Sequence, residues 1–384
     1  MRVILANDTY APDVNGNARF TTGLAEGLSR RGHDVHVLHP SRTAFESVER
    51  GDVVLHGIPS VPLVGFRPFR VSPAAVWSDK VLRLVKRLNP HLVHIHSHLL
   101  IGRAAAQSAH RLDLPLIATN HFLPRNLTVH FPVRPTINRF IEDWLWQDLV
   151  GVYNLAAAVV GPSRTAVKEL SAKGIVAPLQ TISCGVDLST FMSNSIAKNR
   201  RCAHLTCMFV GRIEREKNVD HLIRAWNLVL RKVNARLIIV GRGRDLQRCV
   251  RLAAALNLMG HVMFTGYLED GALRAAYGSC DVFCHAGIAE LQSLVVLEAM
   301  AAGKPIVAAD ALALPELVKE GVNGYTFKAG DIFCLANRLV ELLTDENMRI
   351  AMGHESLKAV RAHDRRSTVV KHETLYQSVM QSTV

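Results

Sequence analysis

The chain has 384 residues, 49% hydrophobic and 20% charged, so it is long enough for two folded domains and is neither disordered nor fibrous. No apolar run approaches the roughly 20 residues that a membrane-spanning helix needs. Lysine and arginine exceed aspartate and glutamate by 45 to 33, a formal net charge of +12 that favours anionic partners. Aromatic residues total only 6% and no nucleic-acid motif is present, so nucleic acid is not expected among those partners.

The N-terminal sequence MRVILANDTY predicts a first strand over Arg2–Ala6. Its apolar run is too short for a signal peptide and returns at once to polar residues. We therefore expect a cytoplasmic location. The seven cysteines are scattered and form no C-x-x-C pair, so neither a disulfide framework nor a structural zinc site is expected.

A strand, loop, helix and strand open the chain. A helix is predicted from Phe20 to Arg31 before Gly32, and DVHVLHP predicts the next strand. The loop ahead of the helix carries Gly16, and a glycine there lets the backbone approach a phosphate. An Asn-Gly pair is also a common turn, so the glycine alone leaves both interpretations open.

The most basic segment runs from Gly65 to Pro90. From Ala75 onward it predicts an amphipathic helix with a cationic face. Such a helix is either a surface helix packed on the sheet or an interfacial helix that meets anionic lipid. The basic residues assigned to lipid contact are Arg67, Arg70, Lys80, Arg83 and Arg87.

The two predicted strands after the basic segment contain several histidines. HLVHIHSH predicts a strand whose His94, His96 and His98 alternate onto one face. No carboxylate or cysteine is spaced to complete a metal site, so crowding near a strand end is the better interpretation. The next strand places Asn120 and His121 at its C-terminal end, which faces the ligand crevice in open parallel sheets.

A packed helix is predicted around Trp144 and Trp146, followed by two strand-and-turn units. The segment 192–204 is polar, basic and without periodicity, which is typical of a linker between domains. The predicted organisation is a first domain over 1–191 and a second over 205–365. A C-terminal helix over 366–384 carries an apolar stripe.

The second domain restarts the alternation of strands and helices. A strand ends at Gly211, and a helix begins near Val219. Arg212 and Lys217 lie in the loop between them, where two cations can clamp a diphosphate, arginine as a fork and lysine as a point charge. A solvated basic loop is the alternative that the pattern alone leaves open.

The segment 281–309 is predicted as strand, loop, helix, turn and strand. Ser293 is the predicted N-cap of an apolar helix that begins at Leu294, where free backbone N–H groups form an anion site. Glu298 lies within this helix and needs partners, because an unpaired buried carboxylate is strongly destabilising. Glu290 lies in the preceding loop, so two carboxylates suited to sugar or ribose hydroxyls flank a phosphate-sized site. A solvated loop acid and a core ion pair are the plainer alternatives.

The pattern of Glu290, seven residues and Glu298, followed by AMAAGKPIVA, resembles the nucleotide-binding signature of the retaining glycosyltransferases of family 4. The likeness extends to Tyr-x-Pro-x-x-x-Gly before the first helix, to Thr-x-His at His121 and to G-R-x-x-x-x-K-N beginning at Gly211. It thus spans nearly the whole chain. It implies the glycosyltransferase-B architecture, with two Rossmann-like, doubly wound α/β domains facing a cleft and a last helix that crosses back to the first domain.

The same resemblance implies the catalytic residues. Arg212 and Lys217 are expected to stabilise the departing diphosphate, Glu290 to orient the donor sugar, and His121 to reach the sugar and the reaction centre. Two cations and a helix N-terminus would already neutralise the diphosphate, so no metal and no separate cofactor are expected.

The donor-binding residues follow in the same way. Glu298 is expected to hold the ribose hydroxyls, and the amides of Ser293 and Leu294 to face the diphosphate. Gly16 and Gly211 complete the set implied for a UDP- or GDP-sugar.

The expected reaction is retaining transfer of a hexose to a hydroxyl acceptor. The sequence AELQSLVVLEAMA is similar to a subgroup of diacylglycerol glucosyltransferases. Together with the basic segment, this implies a lipid acceptor and peripheral attachment to an anionic surface, the inner face of the plasma membrane. The alternatives are a small soluble acceptor, a sugar-nucleotide epimerase and a non-enzymatic sugar-nucleotide binder.

Overall fold

A computed structural model describes residues 1–13, 15–42, 45–62, 70–72, 74–128, 134–195 and 204–382. The chain divides into two compact α/β units. The first comprises 1–184 with 365–384, and the second comprises 185–364. Arg67, one of the basic residues assigned to lipid contact, lies outside the described residues.

The first unit contains an eight-stranded sheet in the order β10-β9-β8-β7-β1-β2-β4-β3, in which only the β3–β4 pair is antiparallel. A separate short pair, β5 and β6, is antiparallel. The elements are β1 (Arg2–Ala6), α1 (Gly16–Ser29), β2 (Asp34–Ser41), β3 (Glu46–Arg50), β4 (Val53–Pro59), β5 (Val61–Pro62), β6 (Arg70–Val71), α2 (Ala74–Leu88), β7 (Leu92–Ile95), α3 (Leu100–Arg111), β8 (Leu116–Thr119), α4 (Arg125–Thr128), α5 (Pro135–Tyr153), β9 (Ala158–Gly161), α6 (Arg164–Ala172) and β10 (Leu179–Thr181).

The second unit contains a six-stranded sheet in the order β13-β12-β11-β14-β15-β16, parallel throughout. Its elements are α7 (Leu188–Ser195), β11 (Leu205–Val210), a 3-10 turn (Arg215–Lys217), α8 (Val219–Val229), β12 (Ala235–Val240), α9 (Leu246–Ala255), β13 (Val262–Gly266), α10 (Asp270–Ser279), β14 (Val282–His285), α11 (Leu294–Ala301), β15 (Ile306–Asp310), α12 (Leu314–Leu317), β16 (Gly324–Lys328), α13 (Ile332–Thr344), α14 (Glu346–Val360) and a 3-10 turn (Arg361–His363). The chain then forms α15 (Arg365–Ser382), which belongs to the first unit.

Each sheet has a topological switch point at its first strand. β1 lies between β7 and β2, and β11 lies between β12 and β14, so connections leave in opposite directions from each. The central strands are almost entirely buried and mostly apolar, as expected for a parallel sheet covered on both faces. In such sheets ligands bind outside the carboxyl ends of the strands at the switch point. The predicted doubly wound α/β class is confirmed, as are the strand, helix and strand of 281–309, which form β14, α11 and β15.

The boundary between the units differs from the predicted one. The predicted end of the first domain, residue 191, falls inside α7. Phe191 packs edge-to-face on Tyr277 of the second unit, with ring centroids 5.7 Å apart, and this apolar contact assigns α7 to that unit. Residues 196–203 of the predicted linker lie outside the described part of the chain.

The last helix packs on the first. A Cβ built at Gly27 of α1 would lie 2.5 Å from Val369 Cγ2 of α15, so the glycine makes room for this close approach. The apolar stripe predicted for the C-terminal helix is buried, including Val369, His372, Tyr376 and Val379. The first unit is therefore completed by a segment distant in sequence.

Two local predictions require correction. The first helix begins at Gly16 rather than Phe20, because the Asn15 side chain accepts a hydrogen bond from Ala18 N at 2.9 Å and caps the helix. The helix around the two tryptophans exists as α5, but only Trp146 is packed. Trp144 is 57% exposed.

Among the helices that the structure describes, none is both long enough and apolar enough to cross a bilayer.

Candidate functional site

The loops that follow β11 and β12 pack backbone against backbone. Gly211 N donates to Val240 O at 3.0 Å. Gly241 has φ of +135°, and a Cβ there would lie 1.8 Å from Gly211 O, while a Cβ at Gly243 would lie 2.1 Å from Ile213 O. Gly241 and Gly243, the G-x-G after β12, are thus required for two loops to meet at the carboxyl edge of the sheet.

A lysine, a glutamate and a histidine converge at this edge. The Lys217 ammonium forms an ion pair with Glu290 Oε1, and His285 Nε2 lies 2.9 Å from the same oxygen. Lys217 comes from the loop after β11, and His285 ends β14, the neighbouring strand. All three side chains are largely buried. The structure therefore brings two of the predicted site residues together and adds a third.

The Glu290 carboxylate is held ionised. Burial alone would raise its pKa, but the Lys217 charge and the hydrogen bond from His285 outweigh burial and lower the pKa to about 2. Both contacts use Oε1, so Oε2 has no hydrogen-bond donor within the described residues. An ionised carboxylate with one unused oxygen is suited to accept hydrogen bonds from a ligand hydroxyl.

His285 is a residue that the sequence reasoning missed. Its ring stacks on Phe209 at 5.9 Å between centroids with an interplanar angle of 9°. A Cβ at Gly287 would lie 2.9 Å from His285 Nε2, so the glycine keeps space beside the imidazole. A polar residue at the carboxyl end of a central strand, five positions before Glu290, is the signal that was available.

Arg212 is held by a second ion pair in the same loop. Its Nη2 lies 3.2 Å from Glu216 Oε1, and Glu216 is buried beside Lys217 in the 3-10 turn. Asn218 ends that turn with φ of 49°, and its side chain donates to Ala286 O at 3.1 Å. The cationic loop is thereby tied to the loop that follows β14.

The N-cap of α11, Ser293, lies three residues beyond Glu290. Ser293 occupies the predicted N-cap position but makes no capping hydrogen bond. Its buried Oγ has no partner among the residues described. The first-turn N–H groups, beginning at Leu294, also lack acceptors within the helix. An unpaired hydroxyl and unpaired amides in one place suit an anionic ligand group.

Glu298 lies deeper in α11 and is buried. The Tyr277 hydroxyl donates to its Oε2 at 2.9 Å and also lies 3.2 Å from Val295 O. The sequence predicted that Glu298 needs a partner but did not identify Tyr277 as that partner. Tyr277 lies 21 positions away on α10.

In the first unit, His121 belongs to a group of histidine rings around Phe20. The His121 ring lies 4.8 Å from the Phe20 ring and 5.8 Å from His96, and His96 lies 4.1 Å from His94. His372 of α15 joins them, 5.8 Å from Phe20. We call His94, His96, His121 and His372 the histidine cluster.

The cluster is neutral. Burial, reinforced by the proximity of His372, lowers the pKa of His121 to about 3, and burial lowers the pKa of His372 to about 4. His121 Nε2 has no hydrogen-bond partner among the described residues. Within that same part of the chain, no group of three or more histidine, cysteine, aspartate or glutamate side chains is arranged to hold a metal ion.

The predicted alternation of three histidines onto one face is wrong for His98. β7 ends at Ile95, so the strand geometry does not extend that far. His98 packs instead on Phe122 and Tyr153, at 4.9 Å and 6.1 Å between ring centroids. Gly16, assigned to the donor from the sequence, is the exposed first residue of α1 in this unit.

The amphipathic helix predicted in the basic segment is confirmed as α2. Val81 and Val85 are buried, whereas Arg83 and Arg87 are exposed. Lys80 is exposed as well, with its ammonium 4.6 Å from the centre of the Trp77 ring.

Arg70 differs from the other basic residues assigned to lipid contact. Its Nε donates to Ser60 Oγ at 2.8 Å, and its Nη2 donates to Ser60 O. Its guanidinium therefore has a structural role that the sequence did not reveal.

Two family models match the chain. The model described as Glycosyltransferase Family 4 matches residues 14–190, and the model described as Glycosyl transferases group 1 matches residues 198–358. Together they span both units.

Known proteins align over most of the chain. A GDP-mannose-dependent alpha-mannosyltransferase of Mycobacterium tuberculosis is 29% identical over 363 residues, covering 92% of this chain and 90% of that protein. An alpha-monoglucosyldiacylglycerol synthase of Streptococcus pneumoniae is 25% identical over 340 residues, covering 84% and 74%.

A solved structure shows the same fold. HepE from Anabaena in complex with UDP-glucose superposes with a TM-score of 0.76 at 20% identity, covering 98% of this chain and 99% of that chain. With both family models matched and the predicted signature in place, the chain belongs to the family 4 glycosyltransferases, enzymes of the glycosyltransferase-B fold that use nucleotide sugars.

Proposed function

We propose that the protein transfers a hexose, with retention of anomeric configuration, from a UDP- or GDP-sugar to a hydroxyl of a membrane lipid such as diacylglycerol or a glycolipid. The use of a nucleotide-sugar donor is supported by the convergence of Lys217, His285 and Glu290 beside the N-terminus of α11. The lipid acceptor is supported by the exposed basic face of α2 and by the relative named as an alpha-monoglucosyldiacylglycerol synthase.

The diphosphate is assigned to Lys217, Arg212 and the first turn of α11. A lysine ammonium has three N–H donors, so Lys217 can keep its contact with Glu290 and still donate to phosphate. Positive groups fixed in advance stabilise the charge that develops as the sugar departs, and such electrostatic terms are often the largest in catalysis. Two cations and a helix N-terminus supply this charge in our proposal without a metal ion.

The sugar and the ribose are assigned to the two carboxylates. Glu290 presents Oε2 to the sugar hydroxyls, because Oε1 is already shared by Lys217 and His285. Glu298 accepts from the ribose hydroxyls, with one of its oxygens fixed by Tyr277. His121 is assigned to the reaction centre on the family resemblance and on its unpartnered Nε2.

The acceptor is assigned from charge and from the relatives. The chain carries a formal net charge of +12, and α2 exposes Lys80, Arg83 and Arg87. Each basic residue near an anionic leaflet contributes roughly 1 kcal/mol, so a handful gives reversible attachment. The Streptococcus relative is named for a glucosylated diacylglycerol.

The test is incubation of purified protein with radiolabelled UDP- and GDP-sugars, with and without diacylglycerol-containing liposomes. Labelled lipid formed only with liposomes, with the donor's anomeric configuration by NMR and undiminished by EDTA, is the expected result. An epimerised donor would identify an epimerase, and an unchanged donor in every arm would leave a binding protein. Label transferred only to added small alcohols or sugars would overturn the lipid assignment.

A further inference from the structure

The helix α5 is apolar on two opposite faces. Its inner face buries Leu145, Trp146 and Leu149 in the core of the first unit. Its outer face carries Ile137, Phe140 and Trp144, which are 47%, 74% and 57% exposed. At 100° per residue these three side chains fall within an arc of about 60°, so they form one continuous stripe. We call it the α5 stripe.

A stripe of this kind is unlike isolated apolar residues on a surface. Single exposed apolar side chains are normal and need no explanation, whereas adjacent large ones mark a surface that contacts something else. An amphipathic helix needs one apolar face to pack on its own core. The inner face of α5 already does so, and the second face is left for a partner.

The stripe shares a helical layer with the basic face of α2. The helix α2 packs on α3, and Arg103 of α3 forms an ion pair with Asp148 of α5. The three helices therefore lie side by side on one face of the sheet, with their outer faces directed away from it. The exposed charged residues of this layer are mostly basic, namely Lys80, Arg83, Lys86 and Arg87 of α2, Arg111 of α3 and Arg139 of α5, against the acidic Asp79 of α2 and Asp143 of α5.

We propose that the α5 stripe inserts into the interfacial region of an anionic lipid bilayer while the basic residues of α2 and α5 contact the lipid headgroups. The inference rests on the proposed lipid acceptor and names the surface that brings the enzyme to it. Charge complementarity selects the bilayer as occupant, since the exposed charged side chains of this helical layer are predominantly cationic and anionic headgroups lie beside acyl chains in a leaflet. Tryptophan is enriched at this depth because its ring is apolar and its N–H is polar.

The first experiment measures binding of the full chain to vesicles with and without phosphatidylglycerol. Phe140→Asp and Trp144→Asp should each weaken partitioning at least tenfold, and the loss should persist at high salt, where the repulsion of the added carboxylate is screened but the apolar contact is still missing. Phe333→Asp is the matched control, since Phe333 is 72% exposed on α13 of the second unit. It should bind as the unaltered chain does.

The second experiment locates the stripe. Lipids brominated on the upper acyl chain should quench tryptophan fluorescence, and Trp144→Phe should remove most of the quenching while vesicle binding persists. Unaltered vesicle binding by the two aspartate variants, or quenching that survives Trp144→Phe, would overturn the proposal. So would a change of oligomeric state in those variants without loss of vesicle binding, which would assign the stripe to a second copy of the chain.

A third experiment distinguishes an error in the proposed lipid acceptor from an error in the proposed membrane-binding surface. Transfer to a short-chain, water-soluble diacylglycerol reports on the acceptor without requiring a bilayer. The stripe variants should retain that transfer while losing transfer in vesicles. A chain that binds vesicles through the stripe but glycosylates neither lipid would refute the lipid acceptor and support the docking surface.

Discussion

The Tyr277 hydroxyl donates a 2.9 Å hydrogen bond to Glu298 Oε2, so a helix preceding β14 fixes a carboxylate on the helix that follows it. Both groups are buried. The tyrosine thus satisfies one oxygen of an otherwise costly buried carboxylate. It also fixes the direction in which the other oxygen points.

Glu298→Gln should weaken donor binding about tenfold, because an amide accepts hydrogen bonds on one terminal atom whereas a carboxylate accepts on both. Tyr277→Phe should weaken it several-fold by removing the hydrogen bond to Oε2. Titration calorimetry with UDP- and GDP-sugars measures both effects. The double variant should be weaker by less than the product of the two, because the residues act through one contact. Unchanged affinity in Glu298→Gln would return this residue to a purely structural role.

Lys217→Ala should lower kcat by about 100-fold while changing KM much less, because the diphosphate gains charge as the bond to the sugar breaks. Steady-state kinetics over a range of donor concentrations separates the two constants. Lys358→Ala is the control, since Lys358 pairs with Glu355 on an exposed surface and such pairs contribute little. A Lys217→Ala enzyme with normal kcat and only a raised KM would contradict the assigned role.

The histidine cluster predicts a loss of stability in mild acid. Because the pKa of His372 is lowered to about 4 on folding, the folded chain keeps it neutral while the unfolded chain takes up a proton below about pH 6.5. Each such histidine therefore removes ~1.4 kcal/mol of unfolding free energy per pH unit between 6.5 and the folded pKa. Urea denaturation at pH 7, 6 and 5 should show the decline.

His372→Gln should make this decline shallower, and substitution of the exposed His354 by glutamine should not. Glu290 acts at a different pH. Its pKa of about 2 lies below that of an unfolded glutamate, so the stability it contributes is present above pH 4 to 5 and is lost only as the pH falls toward 2. A pH profile with no slope between 7 and 5 would show that the cluster is already protonated or solvated.

Gly241→Ala should destabilise the second unit by about 2 to 3 kcal/mol and abolish donor binding, since the new Cβ would meet Gly211 O at a positive φ. Thermal unfolding and donor titration measure the two effects. Gly271→Ala on α10 is the matched control, because no atom lies within 4 Å of its Cβ position. Alanine is also the better helix former there, so the control should be neutral or slightly stabilising.

Charge reversal at Arg83 and Arg87 should abolish binding to anionic vesicles at low salt and leave donor affinity unchanged. The effect should shrink as salt rises, because exposed charges are screened. Co-sedimentation across a salt series measures it. The unaltered chain should bind anionic vesicles more than neutral ones. Binding that ignores lipid charge would favour a small soluble acceptor.

Local signals in the sequence were sufficient for much of this architecture. Alternating apolar runs and turn residues predict the β/α units, while the donor roles of Glu290, Ser293 and Glu298 are implied by the family resemblance that their segment carries. Contacts between segments that are distant in sequence could not be predicted from such local patterns. Tyr277 reaches Glu298 from another helix, and His372 joins His94 across most of the chain length. The exposure of Trp144 was missed for the same reason, since an apolar residue on a helix does not reveal which of two faces meets the core.

The return of α15 to the first unit determines the order in which the two units become complete during synthesis. The second unit is one continuous stretch, 185–364, and Val186 N donates to His363 O at 2.8 Å where that stretch begins and ends. A ribosome that has released residue 364 has supplied everything the second unit contains, whereas the first unit still lacks the helix that covers α1 and supplies His372. Although its strands are translated first, the first unit is the last to close, and a chain stopped before residue 365 would expose the apolar surface of α1 that Val369 covers.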